Sequence, residues 1–243
     1  MKDIFSSTAP VYALNRPGYP KALFDYLESA CSRRECAWDC ATGNGQIAGG
    51  LSAFFKEVRA TDISEQQMAH AYKAPNIIYS KEAAEQSSFA DHIFDLVIVA
   101  QAIHWFQFDA FYKEVRRTLR PDGLFVVAGY NMAVITPAVD KILADFQDQV
   151  VGPYWDPERV YIDEHYQTIP FPFREQETPS LVYEDRWSLE RLCGYIESWS
   201  ATQHYIKAMG TDPVPQLMET LRPVWGEAPL PLFFPVLLRA GRK

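Results

Sequence analysis

Long hydrophobic runs and an N-terminal signal sequence are both missing from this chain of 243 residues. No stretch approaches the roughly 18 consecutive apolar residues that a membrane-spanning helix needs. Residues 1–5 are Met, Lys, Asp, Ile and Phe, which lack the apolar core of a signal peptide. We therefore expect a cytoplasmic protein with no membrane partner.

Cysteine is scarce, and its spacing fits neither a zinc site nor a disulfide scaffold. The four cysteines are Cys31, Cys36, Cys40 and Cys193. They do not form the paired two-residue spacings of a structural zinc site, and they are too few to staple a chain of this length. We expect reduced, mostly buried thiols and no bound metal.

Basic residues are outnumbered by acidic ones, 23 to 31, which gives a formal net charge of −8. A protein that binds nucleic acid nonspecifically needs a basic surface to displace counterions from phosphates. This charge balance therefore disfavours a nucleic-acid partner and favours a small molecule. With 48% hydrophobic residues and no internal repeat, the chain can form one large α/β domain with a substantial core.

Apolar runs alternate with amphipathic segments in the first half of the chain. The pattern predicts strands at residues 36–38, 58–62, 76–80, 95–100 and 124–128. It predicts helices at residues 21–30, 47–55, 64–72 and 108–119, with a turn at Pro121 and Gly123. Within the run 95–100 every residue after Asp95 is apolar, so the strand must be covered on both faces. We therefore predict a doubly wound, mostly parallel sheet with its ligand site at the carboxyl ends of the strands.

The pattern changes after residue 130. Thr136 and Pro137 predict a helix over residues 136–151. Residues 152–173 contain four prolines among many aromatic side chains, so they form neither a regular helix nor a central strand. This segment is either a lid over the site or an insertion packed on the surface. We expect a strand at 178–187, a helix at 188–202 and a closing strand at 233–240.

A glycine-rich turn between the first strand and the next helix is the most informative local pattern. Gly43 and Gly45 let the backbone turn sharply and approach a ligand, and the helix that opens at about Gln46 presents unpaired amide groups. Asp62 ends the second strand, where a carboxylate can bind ribose hydroxyls. The ligand is therefore predicted to be an adenosine derivative. The same spacing, with Ala48, also fits a looser dinucleotide fingerprint, so a nicotinamide cofactor remains an alternative at this point.

Further motifs identify a family. The motif residues occur in this order along the chain: Asp39, Ala41, Gly43 and Gly45, then Asp62, then the run 95–105, then residues 119–123. Residues 12–20, with Tyr12 and Arg16, precede the first strand, and residues 101–106 follow the fourth. Over about residues 10–130 the chain resembles the class I S-adenosylmethionine-dependent methyltransferases. Within them it is similar to the methyltransferase type 11 group of small-molecule enzymes that includes trans-aconitate methyltransferases.

The resemblance implies a seven-stranded, mostly parallel sheet whose last strand is antiparallel, with a small insertion after the fifth strand. It implies a single methyltransferase domain over 1–243, a helical cap at 1–34 and a helical, aromatic insertion at 131–177. The cofactor is expected to be S-adenosyl-L-methionine. The residues expected to bind it are Asp39, Ala41, Gly43, Gly45, Gln46, Asp62, Ile63, Ala84, Glu85, Ala100 and Gln101.

These residues have different expected partners in the cofactor. The turn residues face the methionine portion, as do Ala100 and Gln101 near the sulfonium. Asp62 binds the ribose, Ile63 packs on the adenine, and residues 83–85 face the adenine edge. Two positions depart from the family pattern. Ala41 replaces a common first glycine, which is tolerable if its φ stays negative, and Ala83 stands where many relatives have an acidic residue.

The chemistry expected is an in-line methyl transfer that needs no metal, because positioning in a dry site supplies most of the catalysis. A carboxylate acceptor is already ionised, whereas a hydroxyl acceptor benefits from a base such as histidine. His104 is the candidate for acceptor positioning or proton removal, with a structural role as the alternative. Tyr12, Arg16 and Trp105 are candidate substrate residues. Arg159, Arg174 and Arg186 are further cations, and no spacing selects one of them.

The sequence therefore predicts a methyltransferase acting on a small molecule at oxygen, either a carboxylate, with carboxylic acids a leading class, or a hydroxyl. One rival is an NAD(P)-dependent oxidoreductase, which is disfavoured because no Tyr-x-x-x-Lys pair follows the fourth strand. A second rival is a non-catalytic module that only binds S-adenosylmethionine. The oligomeric state is left open.

Overall fold

Eight strands form one mixed sheet in residues 15–243, the part of the chain that the computed structural model describes. The strands are β1 (Cys36–Cys40), β2 (Glu57–Asp62), β3 (Ile77–Lys81), β4 (Phe94–Ala100), β5 (Leu119–Tyr130), β6 (Arg174–Gln176), β7 (Leu181–Trp187) and β8 (Leu230–Arg242). The helices are α1 (Lys21–Ala30), α2 (Gln46–Leu51), α3 (Glu65–Ala69), α4 (Phe108–Thr118), α5 (Pro137–Asp145), α6 (Val160–Asp163), α7 (Leu189–Glu197), α8 (Ser200–Met209) and α9 (Val214–Trp225).

The strand order is β3, β2, β1, β4, β5, β8, β6, with β7 also paired to β8. The first five strands are parallel, and β8 runs antiparallel to β5. The short strand β6 pairs with residues 240–242 of β8, and β7 pairs with residues 230–236 on the same edge. Two successive strands thus share the seventh position of the sheet. The predicted fold class is confirmed, with one more short strand than expected.

Helices cover both faces of the parallel half of the sheet. The side chains of the strand β4 accordingly alternate between two hydrophobic cores. Leu96 and Ile98 pack in the cluster that contains Leu23 of α1 and Leu51 of α2. Val97 and Val99 point to the other face, into the cluster that contains Phe111 of α4. Burial on both faces explains why residues 96–100 of this strand are all apolar, while Asp95 near its start accepts hydrogen bonds from Glu35 N and Cys36 N. The carboxyl ends of β1, β2 and β4 therefore stay fixed at one edge of the sheet.

Several details after β4 differ from the sequence predictions. The turn before residue 124 places its positive φ at Asp122 (59°), and Gly123 is required for space, since a Cβ there would lie 2.7 Å from Leu119 Cγ. The predicted helix at 188–202 is two helices, α7 and α8, and both β6 and α9 were missed. Helix α5 continues into one π-helical turn, Phe146–Val150, close to the predicted end at 151.

Residues 152–173 hold only short helical turns and the four-residue helix α6, as their prolines predict. The division into a cap at 1–34 and an insertion at 131–177 stays a prediction. Among the helices of residues 15–243, none has both the length and the apolar character that crossing a bilayer requires. Over the same residues, no group of three or more His, Cys, Asp or Glu side chains is placed to hold a metal ion.

Candidate functional site

An open cleft of about 870 Å³, counted with its solvent-filled mouth, lies at the carboxyl ends of β1, β2 and β4. Most of the predicted cofactor and substrate residues line it, namely Arg16, Asp39, Ala41, Gly43, Gln46, Asp62, Ile63, Ala100, Gln101 and Trp105. The cleft also contains residues that the sequence did not single out, among them Pro17, Tyr19, Thr42, Asn44, Ser64, Gln67 and Tyr130. Tyr12 lies outside the described residues.

The turn after β1 is held by two backbone hydrogen bonds, from Thr42 N to Thr61 O (2.8 Å) and from Gly45 N to Thr42 O (2.9 Å). Both glycines have left-handed backbones, with φ of 54° at Gly43 and 78° at Gly45. Their surroundings differ. A Cβ at Gly45 would lie 2.3 Å from the Tyr79 hydroxyl, whereas a Cβ at Gly43 would meet no atom within 4 Å. Gly45 is thus required for packing, and Gly43 leaves space in the cleft.

Asp62 closes the end of β2 beside this turn. Its Oδ2 accepts from Gly43 N at 2.9 Å, and its Oδ1 accepts from Ser64 N at 2.8 Å. The side chain is buried but lines the cleft. Backbone donors on both oxygens fix the carboxylate before any ligand arrives. A pre-oriented carboxylate at this edge suits a pair of ribose hydroxyls.

Asp39 lies at the other side of the turn and is almost fully buried. Its Oδ2 accepts from Ala48 N at 2.9 Å and from the Thr42 hydroxyl. Burial raises the pKa of this carboxyl to about 7, against the opposing effect of these two hydrogen bonds, and the charge of Asp62 raises it further. Asp39 therefore titrates near neutral pH in the protein without ligand.

Two non-glycine residues in the cleft have left-handed backbones. Ala41 follows β1 with φ of 57°, and Gln101 follows the neighbouring strand β4 with φ of 56°. The expectation that Ala41 keeps a negative φ was therefore wrong. The Gln101 side chain holds its own backbone in place, because its Oε1 accepts from Tyr130 N (2.8 Å) and its Nε2 donates to Tyr130 O (3.2 Å). Backbone strain of this kind collects at ligand sites.

Three of the residues predicted to bind the cofactor lie outside the cleft lining. Gly45 packs against Tyr79, and Ala84 is buried in the core beside Trp38. Glu85 Oε1 accepts from Gln107 N at 3.2 Å, at the start of α4. Their contact with the cofactor stays a prediction.

A second cavity, of about 580 Å³ when its solvent-filled opening is counted, adjoins the cleft and shares four residues with it, namely Arg16, Gln101, Trp105 and Tyr130. Its remaining lining mixes aromatic, aliphatic, polar and charged side chains from segments far apart in the chain: His104, Asn131, Met132, Trp155, Asp156, Arg159, Ile162, Tyr195, Trp199 and Ser200. Arg16 stands between the two spaces. Its Nη2 donates to Ser198 O at 3.1 Å, and its guanidinium carbon lies 5.3 Å from the centre of the Tyr195 ring.

His104 lines this second cavity and not the cleft. Its Nδ1 lies 3.1 Å from the Tyr166 hydroxyl, and only 5% of the residue is exposed. Burial lowers the pKa of His104 to about 3, and the charges of Arg159 and Arg16 contribute in the same direction. The imidazole is therefore neutral at physiological pH and offers hydrogen bonds rather than charge.

Known proteins are similar to this chain in fold and in sequence. A family model for a methyltransferase domain matches residues 38–127, from β1 into β5. A Dictyostelium discoideum protein that is described as a methyltransferase is 33% identical over 223 residues, which are 90% of this chain and 85% of that protein. This chain belongs to the class I S-adenosylmethionine-dependent methyltransferases. Its cofactor is S-adenosylmethionine, and the nicotinamide alternative is set aside.

Solved structures agree with this membership. A type II methyltransferase, by its description, from Anaeromyxobacter dehalogenans superposes with a TM-score of 0.86 and 38% identity, covering 93% of this methyltransferase and 97% of that chain. A Mycobacterium tuberculosis methyltransferase is 26% identical over 222 residues, or 89% of this chain and 86% of its own length. A Bacillus halodurans structure with 19% identity, a TM-score of 0.54 and coverage of 92% and 98% shows the shared fold alone.

The residues of the cleft fit this cofactor. Gly43 leaves open space where a side chain would stand, and Asp62 is oriented by two backbone donors. The strained turns at Ala41 and Gln101 aim backbone groups at the space between β1 and β4. In this methyltransferase the cleft is thus suited to hold the cofactor, and the second cavity opens next to it.

Proposed function

We propose that this methyltransferase transfers the methyl group to an oxygen atom of a small carboxylic acid. The observation that carries the proposal is the second cavity, which shares Arg16, Gln101, Trp105 and Tyr130 with the cofactor cleft. A molecule in the second cavity lies next to one in the cleft, as an in-line transfer requires. The other lining residues combine apolar side chains, among them Ile162, Tyr195 and Trp199, with polar ones, so the space suits a small molecule that carries polar groups.

Charge favours an acid as the acceptor. The charged residues in the lining of the second cavity are Arg16, Arg159 and Asp156, which sum to +1 (two cations less one anion). The chain as a whole carries −8. Two guanidinium groups in the lining, one of which (Arg159) also pairs with Asp163, can attract an anion, and arginine offers a planar fork that matches a carboxylate.

The protonation of His104 favours a carboxylate over a hydroxyl. With its pKa held near 3, this imidazole is a weak base at neutral pH, while an efficient general base has a pKa near the working pH. A carboxylate is already ionised and needs no base. We assign His104 to positioning of the acceptor by a neutral hydrogen bond, supported by its contact with Tyr166.

When bound, S-adenosylmethionine supplies the methyl group: its carbon–sulfur bond breaks with the electron pair left on sulfur, while an acceptor oxygen lone pair forms the new bond. A carboxylate thereby becomes a neutral ester and releases no proton. The chain's own part is to bind and orient. We assign Asp62 to the ribose hydroxyls and Ile63 to the adenine. The backbone at Ala41 and Gly43, with Gln101, is assigned to the methionine portion.

The test is to incubate the purified protein with S-adenosylmethionine and panels of carboxylic acids, alcohols and amines, measuring S-adenosylhomocysteine and the methylated product by mass spectrometry. Alkaline hydrolysis of the product back to the acid identifies a methyl ester. Transfer to acids, retained in part by His104→Gln, supports the proposal. Transfer confined to alcohols or amines contradicts it, and tight cofactor binding without any turnover favours a non-catalytic role.

A further inference from the structure

Three polar side-chain atoms from residues of one short segment at the second cavity are buried without a hydrogen-bond partner among residues 15–243. They are Trp155 Nε1, Asp156 Oδ2 and Arg159 Nη2. All three residues line the cavity. Two of the atoms are donors and one is an acceptor, so the residues of this segment bring both kinds of hydrogen-bonding group to the wall of the cavity.

Such atoms are costly when nothing binds them. A buried donor or acceptor without a partner costs about 1 to 3 kcal/mol, and more where it belongs to a charged group. Native proteins satisfy nearly all of their buried polar atoms, so three such atoms on residues that line one cavity call for an explanation. A ligand that supplies one acceptor and one donor would satisfy the whole set.

The surrounding contacts fix the direction of the arginine. Arg159 Nε donates to Asp163 Oδ1 at 2.9 Å, and the guanidinium carbon lies 4.5 Å from the centre of the Trp155 ring. These contacts leave Nη2 as the buried donor. The guanidinium is thus held over the indole ring, and Arg159 Nη2 and Trp155 Nε1 have no hydrogen-bond partner among residues 15–243.

The Asp156 carboxylate lies near His204. Its Oδ2 lies 3.8 Å from His204 Nδ1, beyond hydrogen-bond distance, while that nitrogen contacts Tyr154 O at 3.1 Å. His204 is therefore engaged with the backbone of the same segment. The Asp156 oxygen stays available to a donor that enters the second cavity.

We propose that residues 155–159 are the specificity element of the acceptor site and select a hydroxy dicarboxylic acid. Arg159 and Trp155 bind one carboxylate of the acceptor, which is the group that does not react. Asp156 accepts a hydrogen bond from the hydroxyl. The second carboxylate extends toward the shared residues Gln101 and Trp105 and receives the methyl group. This inference rests on the proposed function and adds the recognition of the acceptor to it.

The hydroxyl matters because Asp156 sits beside the anion site. A bare carboxylate next to Asp156 meets a like charge and leaves its oxygen unsatisfied, whereas a hydroxyl beside the carboxylate donates to it. Sites that hydrogen-bond a substrate hydroxyl discriminate strongly against analogues that lack it, because the buried polar group is then left unpaired. Residues 155–159 therefore recognise two features of the acceptor, its non-reacting carboxylate and its hydroxyl.

The test uses two matched sets of acids with the full protein at saturating S-adenosylmethionine. The four-carbon set is malate, succinate and butyrate, and the five-carbon set is 2-hydroxyglutarate, glutarate and valerate. In at least one set, kcat/KM should fall by about tenfold on loss of the hydroxyl and again by about tenfold on loss of the second carboxylate. Arg159→Met should remove the preference for the diacid over the monoacid. Asp156→Leu should remove the preference for the hydroxy diacid over the diacid.

The control variant is Arg174→Met, which removes an exposed arginine that contacts Asp122 outside both cavities. It should keep both preferences. Each variant is first checked for unchanged affinity for S-adenosylhomocysteine, which shows that it is folded. Equal kcat/KM within both sets, unchanged ratios in the variants, or no turnover of any of the six acids overturns the inference. If the inference is overturned but other carboxylic acids are methylated, the proposed function still holds. If only alcohols or amines are methylated, both the inference and the proposed function are contradicted.

Discussion

The backbone N–H of Gly43 donates to Asp62 Oδ2 over 2.9 Å and so ties the turn after β1 to the end of β2. Two parts of the site that are 19 residues apart in sequence share one hydrogen bond. The ligand-facing groups of both strands are therefore set by the same contact, and a change at either residue affects the other. The first two predictions follow from this pair.

Replacing Asp62 by alanine should weaken binding of S-adenosylhomocysteine by about 1 to 3 kcal/mol through loss of charge-assisted hydrogen bonds. Isothermal titration calorimetry measures this directly. Asp25→Ala, on the exposed side of α1, is the control and should leave the affinity unchanged. An Asp62→Ala protein that binds the ligand normally would disprove the assignment of this carboxylate to the ribose.

Alanine at the two glycines of the turn should act on different properties. Gly43→Ala meets no atom of the protein, so it should reduce cofactor affinity more than stability, apart from roughly 1 kcal/mol of backbone strain. Gly45→Ala brings a Cβ to 2.3 Å from the Tyr79 hydroxyl and should chiefly destabilise the fold. Urea unfolding and calorimetry on both variants separate the effects. Equal loss of stability in the two variants contradicts the distinction.

Ala41→Gly should stabilise the protein, by roughly 0.5 to 1 kcal/mol, because the left-handed φ of 57° is strained for alanine and free for glycine. Part of the gain is offset by the greater freedom of glycine in the unfolded chain. The matched control is Ala22→Gly within α1, which should destabilise by about 1 kcal/mol. The same sign of change for both substitutions, measured by urea unfolding, would contradict the strain at Ala41.

The effect of Asp39→Asn on the free energy of unfolding should become more favourable as the pH rises. The pKa of Asp39 is raised from 3.8 to about 7, so between these values the folded protein keeps a proton that the unfolded chain releases. Stability contributed by this group therefore falls with rising pH in that window, by up to about 1.4 kcal/mol per pH unit. The free energy of unfolding of the variant relative to wild type should increase between pH 5 and pH 7.

The comparison with wild type is needed because His104 contributes with the opposite sign. Its pKa is lowered from 6.5 to about 3, so the unfolded chain takes up a proton between these values and stability rises with pH. The two slopes oppose each other in the wild-type protein. A difference between Asp39→Asn and wild type that does not change between pH 5 and pH 7 would show that Asp39 is ionised throughout.

Local patterns predicted the parallel half of the fold well. The apolar run of β4, the glycine turn and the Ser64 cap of α3, whose hydroxyl accepts from Gln67 N, all depend on neighbours in sequence. The strand β6 was missed because three polar residues carry no periodicity and pair with β8 only through the fold. The left-handed φ at Ala41 was missed because alanine does not favour it.

The second cavity could not be predicted from the sequence alone. Arg16 lies more than a hundred residues before both Arg159 and Tyr195, and no sequence spacing relates the three residues. The sequence indicated only that residues 152–173 are rich in aromatic residues and proline. That Arg159, the one arginine of this segment, lines the second cavity depends on where the fold places the segment.

The position of β8 has a consequence for synthesis of the chain. This strand follows every other strand described, yet it lies inside the sheet, with β5 on one side and β6 and β7 on the other. At about 5 to 20 residues per second, roughly 5 to 20 s separate the emergence of Tyr130 from that of Leu230. During this interval β5 has an open edge and β7 has no partner. The nascent protein therefore passes through a stage in which strand edges are exposed to aggregation and to chaperones.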